Sequence, residues 1–248
     1  MILMNRPQIW AHRGASFHAP ENSLEAFALA REMGADGIEL DIHLSKDGKL
    51  VVVHDETVDR CSSSTGRIAD MTLREIKELD FSNRKPGYRG VRAPTLGEVY
   101  ELLKDSQMTI NVELKFGAAL NIGMEEKCIQ LAREMGMQDQ VCYSSFNHYS
   151  LQRLRALDAS AKVAPLYIAV LFNPWNYAKS MNAHAVHPYY RTLAIPGVME
   201  GLKSAGLRCN PWTVDDAESM KWLAKLGVDA IITNRPDVAL LAFAEMTG

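Results

Sequence analysis

The clearest pattern along the chain is a recurring unit: a polar, helix-forming segment, then a glycine, then a short apolar run. Arg31-Glu32-Met33-Gly34 leads to Gly37-Ile38-Glu39-Leu40-Asp41, and Arg133-Glu134-Met135-Gly136 leads to Val141-Cys142-Tyr143-Ser144. Lys203-Ser204-Ala205-Gly206 leads to Leu207-Arg208-Cys209-Asn210, and Ala224-Lys225-Leu226-Gly227 to Ala230-Ile231-Ile232-Thr233. Glycine takes up the left-handed exit of a helix, and short apolar-rich runs suit parallel strands covered on both faces. The alternation predicts an α/β fold. Helix starts agree, because Asn22 with Glu25, Thr72 with Glu75, Thr95 with Glu98 and Asp215 with Glu218 all have capping-box spacing.

Eight strands are predicted: Ile9–Ala11, Gly37–Asp41, Thr109–Glu113, Val141–Ser145, Lys162–Leu166, Ala185–His187, Arg208–Asn210 and Ala230–Thr233. Eight is the number of a TIM-type (β/α)8 barrel, which gathers loops from distant segments at one rim. The open doubly wound alternative lacks its dinucleotide fingerprint, since Gly14 stands alone after the first strand. One interruption falls after the second strand. Ser45-Lys46-Asp47-Gly48-Lys49 reads as a hairpin turn into Leu50–Val53, followed by a segment rich in Ser, Gly, Lys and Arg around a short helix from Thr72 to Leu79. The expectation is one catalytic domain over residues 1–248, with a small insertion at 45–95. A second irregular stretch, Tyr167 to Ile195, carries enough aromatic residues to form a rim wall or lid.

Composition narrows the class without identifying a partner. The 248 residues are 47% hydrophobic and 23% charged, with a formal charge of -3, which fits a globular enzyme and gives no basic surplus for nucleic acid. The opening Met1–Pro7 has neither a basic leader nor a long apolar core, and no later stretch is long enough for a bilayer, so no membrane anchor is expected. Cys61, Cys128, Cys142 and Cys209 form no metal-binding pattern, and their sparse use suits the reducing cytoplasm. Cys142 and Cys209 read as buried strand residues. The apolar residues of the insertion offer a surface for a homodimer contact.

The polar residues at the strand ends carry the chemistry. Glu39 and Asp41 alternate on one strand and so share a face, where two carboxylates call for a cation, a proton or a basic neighbour. Two such acids equally suit a solvent-facing or salt-bridged position. Glu113, ending the third strand, is the natural third ligand across a barrel mouth, and three carboxylates favour one hard divalent cation, Mg²⁺ or Ca²⁺. His12 follows the first strand beside Arg13, whose planar fork suits phosphate oxygens. His54 closes the run Leu50–Val53. Attack on a phosphate ester removes a proton from the nucleophile and gives one to the departing alkoxide, tasks that two histidines can divide.

His12-Arg13-Gly14, Glu21-Asn22-Ser23, Glu39-Leu40-Asp41, His54-Asp55, Glu113-Leu114-Lys115 and Asn210-Pro211-Trp212-Thr213-Val214-Asp215 together resemble the glycerophosphodiester phosphodiesterase family, over nearly the whole chain. The resemblance implies a TIM-type barrel with a small insertion after the second strand. It also implies metal-dependent cleavage of a small-molecule glycerophosphodiester, such as glycerophosphocholine or glycerophosphoethanolamine, to glycerol 3-phosphate and an alcohol. In the family pattern Glu39, Asp41 and Glu113 match the metal ligands and His12 and His54 the acid-base pair. Glu21 and Lys115 match residues that organise His12 and the phosphate or metal shell, Arg13 the group that neutralises the phosphate, and Trp212 an aromatic wall against the glycerol. The implied route is attack by the adjacent glycerol hydroxyl to give a cyclic phosphate that water opens, with His12 as base and His54 as acid in the first step.

Phe17 and His18 are candidates for the entrance, His43 continues the alternation of Glu39 and Asp41, and His187-Pro188-Tyr189-Tyr190 are candidates for the alcohol pocket. Competing readings are a lysophospholipase D-type enzyme, an enzyme that stops at the cyclic phosphate, and a noncatalytic barrel that binds phosphorylated metabolites.

Overall fold

A computed structural model of the chain describes residues 6–82, 85–117 and 121–247. Met1–Asn5, read above for a leader, lie outside the described residues. Among the described residues eight strands run parallel around a barrel: β1 (Gln8–His12), β2 (Gly37–Leu44), β4 (Thr109–Leu114), β5 (Val141–Ser145), β6 (Lys162–Tyr167), β7 (Ala185–Pro188), β8 (Arg208–Cys209) and β9 (Ala230–Thr233). The remaining strand, β3 (Leu50–Val52), pairs antiparallel with the far end of β2. Hydrogen bonding runs in the order β8-β7-β6-β5-β4-β2-β1-β9. The seam between β8 and β9 is closed by three backbone bonds: Asp229 N–H to Cys209 O at 2.9 Å, Ile232 N–H to Pro211 O at 3.0 Å and Val214 N–H to Ile232 O at 3.0 Å. Pro211 has no N–H to give, so the ladder is sparse here and the predicted strand to Asn210 ends at Cys209.

The TIM-type barrel expected from the alternation is therefore the fold. The second strand is longer than predicted because β3 pairs Ile42, His43 and Leu44 with Val52, Val51 and Leu50, the hairpin read at Ser45–Lys49. Helices cover the outside: α1 (Leu24–Met33), α3 (Leu96–Leu103), α4 (Met124–Glu134), α5 (His148–Leu157), α6 (Pro174–Ser180), α7 (Val198–Ser204), α8 (Ala217–Leu226) and α9 (Pro236–Thr247). Between β3 and α3 lies α2 (Leu73–Glu78). Ile38, Leu40 and Ile42 of β2 point outward to pack with Phe27 of α1 and Val99, Tyr100 and Leu103 of α3, which leaves Glu39, Asp41 and His43 facing in.

Two of the four predicted caps form as capping boxes, at Thr72 with Glu75 and Thr95 with Glu98. The other two shift by one residue. Ser23, not Asn22, caps α1, and Asp216, not Asp215, caps α8. Asn22 sits at φ 56° and spends its amide on Asp41, while Asp215 turns to Thr233 and Asn234, so both side chains serve the barrel mouth in place of a helix end. The insertion carries its own apolar cluster, with Val51, Val53, Val58, Ile68, Ile76 and Phe81 all buried. The exposed large apolar side chains lie elsewhere, among them Phe116, Phe146, Ile168 and Phe172. Cys142 and Cys209 are buried as expected, and all four cysteines are unpaired. Among the described residues no helix is long and apolar enough to cross a membrane.

Candidate active site

A cleft opens where the strands end, lined by His12, Arg13, Glu39, His54, Glu113 and Lys115 on one side and by Phe146, Leu166 and Trp212 on the other. The register explains the acidic group, since β2 and β4 pair Asp41 directly with Glu113 and Glu39 with Asn111. Carboxylate oxygens of Glu39, Asp41 and Glu113 come within 4.8 Å of one another, and all three residues are buried.

Three acids this close do not share three negative charges easily. Burial, reinforced by Asp41 and Glu113, pushes the Glu39 carboxyl well above the usual range. Glu113 is pushed up to about 7, chiefly by burial, against the pull of Lys115. Asp41 goes the other way: burial would raise it, but Lys115 and Arg13 hold it down. Lys115 Nζ lies 2.8 Å from Glu113 Oε1 and 3.3 Å from Asp41 Oδ1, an ammonium supplying part of the missing positive charge. Even so, Glu39 Oε1 and Asp41 Oδ1 are buried acceptors with no hydrogen-bond donor. Two buried oxygens without a hydrogen-bond donor on β2, converging with the Glu113 carboxylate of the adjacent β4, are a donor set that fits one hard divalent cation.

Arg13 sits at φ 56°, a left-handed conformation uncommon for a residue with a side chain. The bend aims its backbone N–H at Glu39 Oε2 (3.0 Å) and brings its guanidinium to Glu21 Oε1 (3.0 Å) and Asp41 Oδ2 (3.3 Å). Gly14, at φ 80°, completes the turn against Ala26 of α1.

The two histidines differ in how they are held. His12 Nδ1 donates to Asn234 Oδ1 at 2.7 Å, leaving Nε2 as the lone-pair nitrogen, 3.9 Å from Glu39 Oε2. Burial, then the Arg13 charge, lowers its imidazole to about 4, against Asp41 and the Asn234 bond. His54 Nδ1 donates instead to a carboxylate, Asp55 Oδ1, at 2.6 Å. Burial lowers this imidazole too, with Asp41 and Asp55 working against it. Although burial would raise Asp55, hydrogen bonds from Arg60 and His54 hold its carboxyl at about 2. His43 lies beneath, its Nε2 on the His54 carbonyl at 3.1 Å, a support for the backbone of His54.

Other sequence candidates fall differently. Glu21 contacts Arg13 and Arg60; the side chain that orients His12 is Asn234. Trp212 lines the cleft edge-on to Phe146, with ring centroids 5.5 Å apart, its Nε1 donating to the His187 carbonyl. His187 does not reach the cleft: it is fully buried, edge-on to Trp10, and its Nε2 accepts from Asn210. His18 pairs with Asp237, and Phe17 lies under the Arg235 guanidinium, 3.8 Å from ring centroid to Cζ. Asn234, Asp215, Asn22 and Arg60 join the site through contacts that the sequence pattern does not announce. Asn234 follows the predicted last strand as His12 follows the predicted first, and the pairing of Ala11 with Thr233 sets the two residues side by side, so that placement is the available signal.

A family model described as the glycerophosphoryl diester phosphodiesterase family matches residues 12–238. A glycerophosphodiester phosphodiesterase of Caldanaerobacter subterraneus subsp. tengcongensis is 47% identical over 231 residues, covering 93% of this chain and 95% of that protein. Among solved structures, an Oleispira antarctica phosphodiesterase in complex with the product sn-glycerol-3-phosphate superposes with a TM-score of 0.86 at 29% identity, covering 96% of this chain and 97% of the other. A glycerophosphodiester phosphodiesterase from Agrobacterium tumefaciens gives a TM-score of 0.83 at 30% identity, covering 95% and 99%.

Proposed function

The chain belongs to the glycerophosphoryl diester phosphodiesterase family, and on that premise we propose that it is a metal-dependent enzyme that hydrolyses glycerophosphodiesters to sn-glycerol 3-phosphate and an alcohol. The observation that carries this reading is the convergence of two imidazoles, held by different partners, on a buried carboxylate trio flanked by Arg13 and Lys115. Glu39, Asp41 and Glu113 would hold one divalent cation, Mg²⁺ or Ca²⁺, whose charge offsets what builds on the phosphoryl oxygens.

The chain's own groups supply the rest. Arg13 and Lys115 bind the nonbridging oxygens and stabilise charge that grows in the transition state. His12, kept neutral by burial, takes the proton of the glycerol hydroxyl next to the ester on Nε2 as that oxygen bonds to phosphorus. The bond from phosphorus to the leaving alcohol breaks, and His54 Nε2 gives that oxygen its proton, with Asp55 balancing the imidazolium charge. In the second step water attacks the cyclic phosphate, passing its proton to His54, while His12 returns its proton to the released glycerol oxygen. Trp212 and Phe146 form the apolar wall along the substrate. The reading includes a single catalytic domain spanning the chain, with residues 45–95 inserted after the second strand, and a cytoplasmic setting consistent with four unpaired cysteines.

The test is release of glycerol 3-phosphate from glycerophosphocholine and glycerophosphoethanolamine with Mg²⁺ or Ca²⁺, after chelation, and with His12→Ala. Metal-dependent release that disappears in H12A is the expected result; no release of glycerol 3-phosphate from either diester by folded, metal-supplied protein overturns it.

A further inference from the structure

We propose that Arg60 is a positioning residue that aligns His54 with Arg13 across the gap between the insertion and the barrel rim, an inference that rests on the roles given to those two residues above. Its guanidinium meets two carboxylates at once. Nη1 and Nη2 donate to Glu21 Oε2 and Oε1, both at 2.8 Å, while Nε and Nη2 donate to Asp55 Oδ2 at 2.6 Å and Oδ1 at 3.2 Å. Each carboxylate has an active-site group as its other partner: Glu21 Oε1 accepts from Arg13 Nη1 at 3.0 Å, and Asp55 Oδ1 accepts from His54 Nδ1 at 2.6 Å. An unbroken chain of contacts thus runs His54–Asp55–Arg60–Glu21–Arg13, joining the loop after β1 to the loop after β3.

Only a guanidinium can hold this arrangement. Its rigid planar fork has five N–H donors, four of which are used here to set both carboxylates relative to one plane; an ammonium is a point charge and sets no plane. The Arg60 side chain is 44% exposed, and ion pairs that open to water stabilise a fold little. Its consequence is geometric. Without it Asp55 and Glu21 are free to turn, so His54 loses its fixed acceptor and Arg13 one of its two carboxylate partners, and displacements near reacting groups cost large factors in rate.

The experiment compares Arg60→Ala and Arg60→Lys with the wild type in three ways: kinetics on glycerophosphocholine with saturating Mg²⁺, rescue by added guanidinium chloride, and ¹⁵N NMR of histidine-labelled, metal-free protein. We expect R60A to lose about 10- to 100-fold in kcat, to raise KM several-fold, and to regain about tenfold in kcat with guanidinium but not with ammonium. R60K is expected to behave like R60A, with its thermal midpoint close to wild type. The His54 resonances, assigned from their loss in H54Q, are expected to change from the Nδ1–H tautomer to a mixture. Wild-type kcat and KM in R60K, or an unaltered His54 tautomer in R60A, would overturn the proposal. If R60A does not fold, R60K decides by the same two readouts. If the wild type cleaves no diester, the functional reading fails, and the metal-free NMR comparison still decides whether Arg60 positions His54.

Discussion

Asn234 presents its amide oxygen to His12 Nδ1 at 2.7 Å while its amide nitrogen donates to Asp215 Oδ2 at 2.7 Å. The second bond forbids the flip that would turn the NH₂ toward the imidazole. Asp215 is itself fixed, with Oδ1 accepting from Asn234 N–H at 2.8 Å and Thr233 Oγ1 at 3.0 Å. The protonated nitrogen of His12 is therefore set by a carboxylate two contacts away, and the lone pair of Nε2 faces the cleft.

Asn234→Ala and Asp215→Asn should each lower kcat by about 10- to 100-fold with little change in KM, since the base is misoriented while the phosphate contacts stay in place. Steady-state kinetics on one diester suffice. A rise in KM at constant kcat would mean that the pair holds substrate and not His12.

His12 and His54 should separate by leaving group. Both alanine variants are expected to lose about 10²- to 10⁴-fold on glycerophosphocholine, the usual contribution of a proton-transfer group. With a 4-nitrophenyl diester the departing phenolate needs no proton, so H54A should recover most of its 4-nitrophenolate release while the cyclic phosphate accumulates, and H12A should recover none. Recovery in H12A instead would reverse the two roles.

Much of this was legible in the sequence because the barrel repeats. The helix-glycine-strand units announced the strands, and the alternation of Glu39 and Asp41 announced a shared face. What escaped depended on contacts between distant segments. Asn22 and Asp215 looked like helix caps because their spacing to Glu25 and Glu218 is right, yet each is one residue out of place and bonds across the mouth. His187 looked like a pocket residue beside two tyrosines, yet strand alternation turns it into the barrel interior. Arg60 sits in an irregular segment where periodicity carries no information.

Gly14→Ala should destabilise the fold by about 2–4 kcal/mol. A Cβ at Gly14 would lie 2.6 Å from Ala26 Cβ and 2.7 Å from the Ala26 carbonyl carbon, at a φ of 80° that alanine resists. Backbone cannot swing away as a side chain can, so the turn that carries Arg13 must shift. Denaturant unfolding measures the loss; a midpoint unchanged from wild type would show that the turn has slack.

His187 gives stability a pH dependence of known sign. Burial, with a smaller contribution from His184, lowers its imidazole from 6.5 to about 3, so between those values the unfolded chain binds the proton and the folded protein does not. The contribution of His187 to stability therefore falls as the pH drops below about 6.5, by at most about 1.4 kcal/mol per pH unit. His187→Asn should remove this one group's share of the slope between about pH 4.5 and 6.5; Glu113 and His12 also titrate differently on folding in that window, but equally in both proteins, so the difference between the two slopes isolates His187. Parallel slopes for variant and wild type in urea titrations would count against a neutral buried imidazole.

Glu39→Gln should stabilise the metal-free protein and abolish its response to metal. Glu39 is 3% exposed, and burial with two neighbouring carboxylates already favours its protonated form. Glutamine resembles that form and can still accept the Arg13 N–H, which lies 3.0 Å from Glu39 Oε2, so the substitution removes the cost of protonating this carboxyl on folding without removing a contact. The same exchange takes away one of three anionic ligands. Wild-type protein at a cation concentration about 100 times the dissociation constant should gain about 2.7 kcal/mol over its chelated form. Thermal unfolding with chelator, Mg²⁺ and Ca²⁺ should then show E39Q above wild type when chelated and unmoved by either ion. An equal metal-induced shift in both proteins would place the cation away from Glu39, and a lower chelated midpoint in E39Q would show that the trio is not under electrostatic strain.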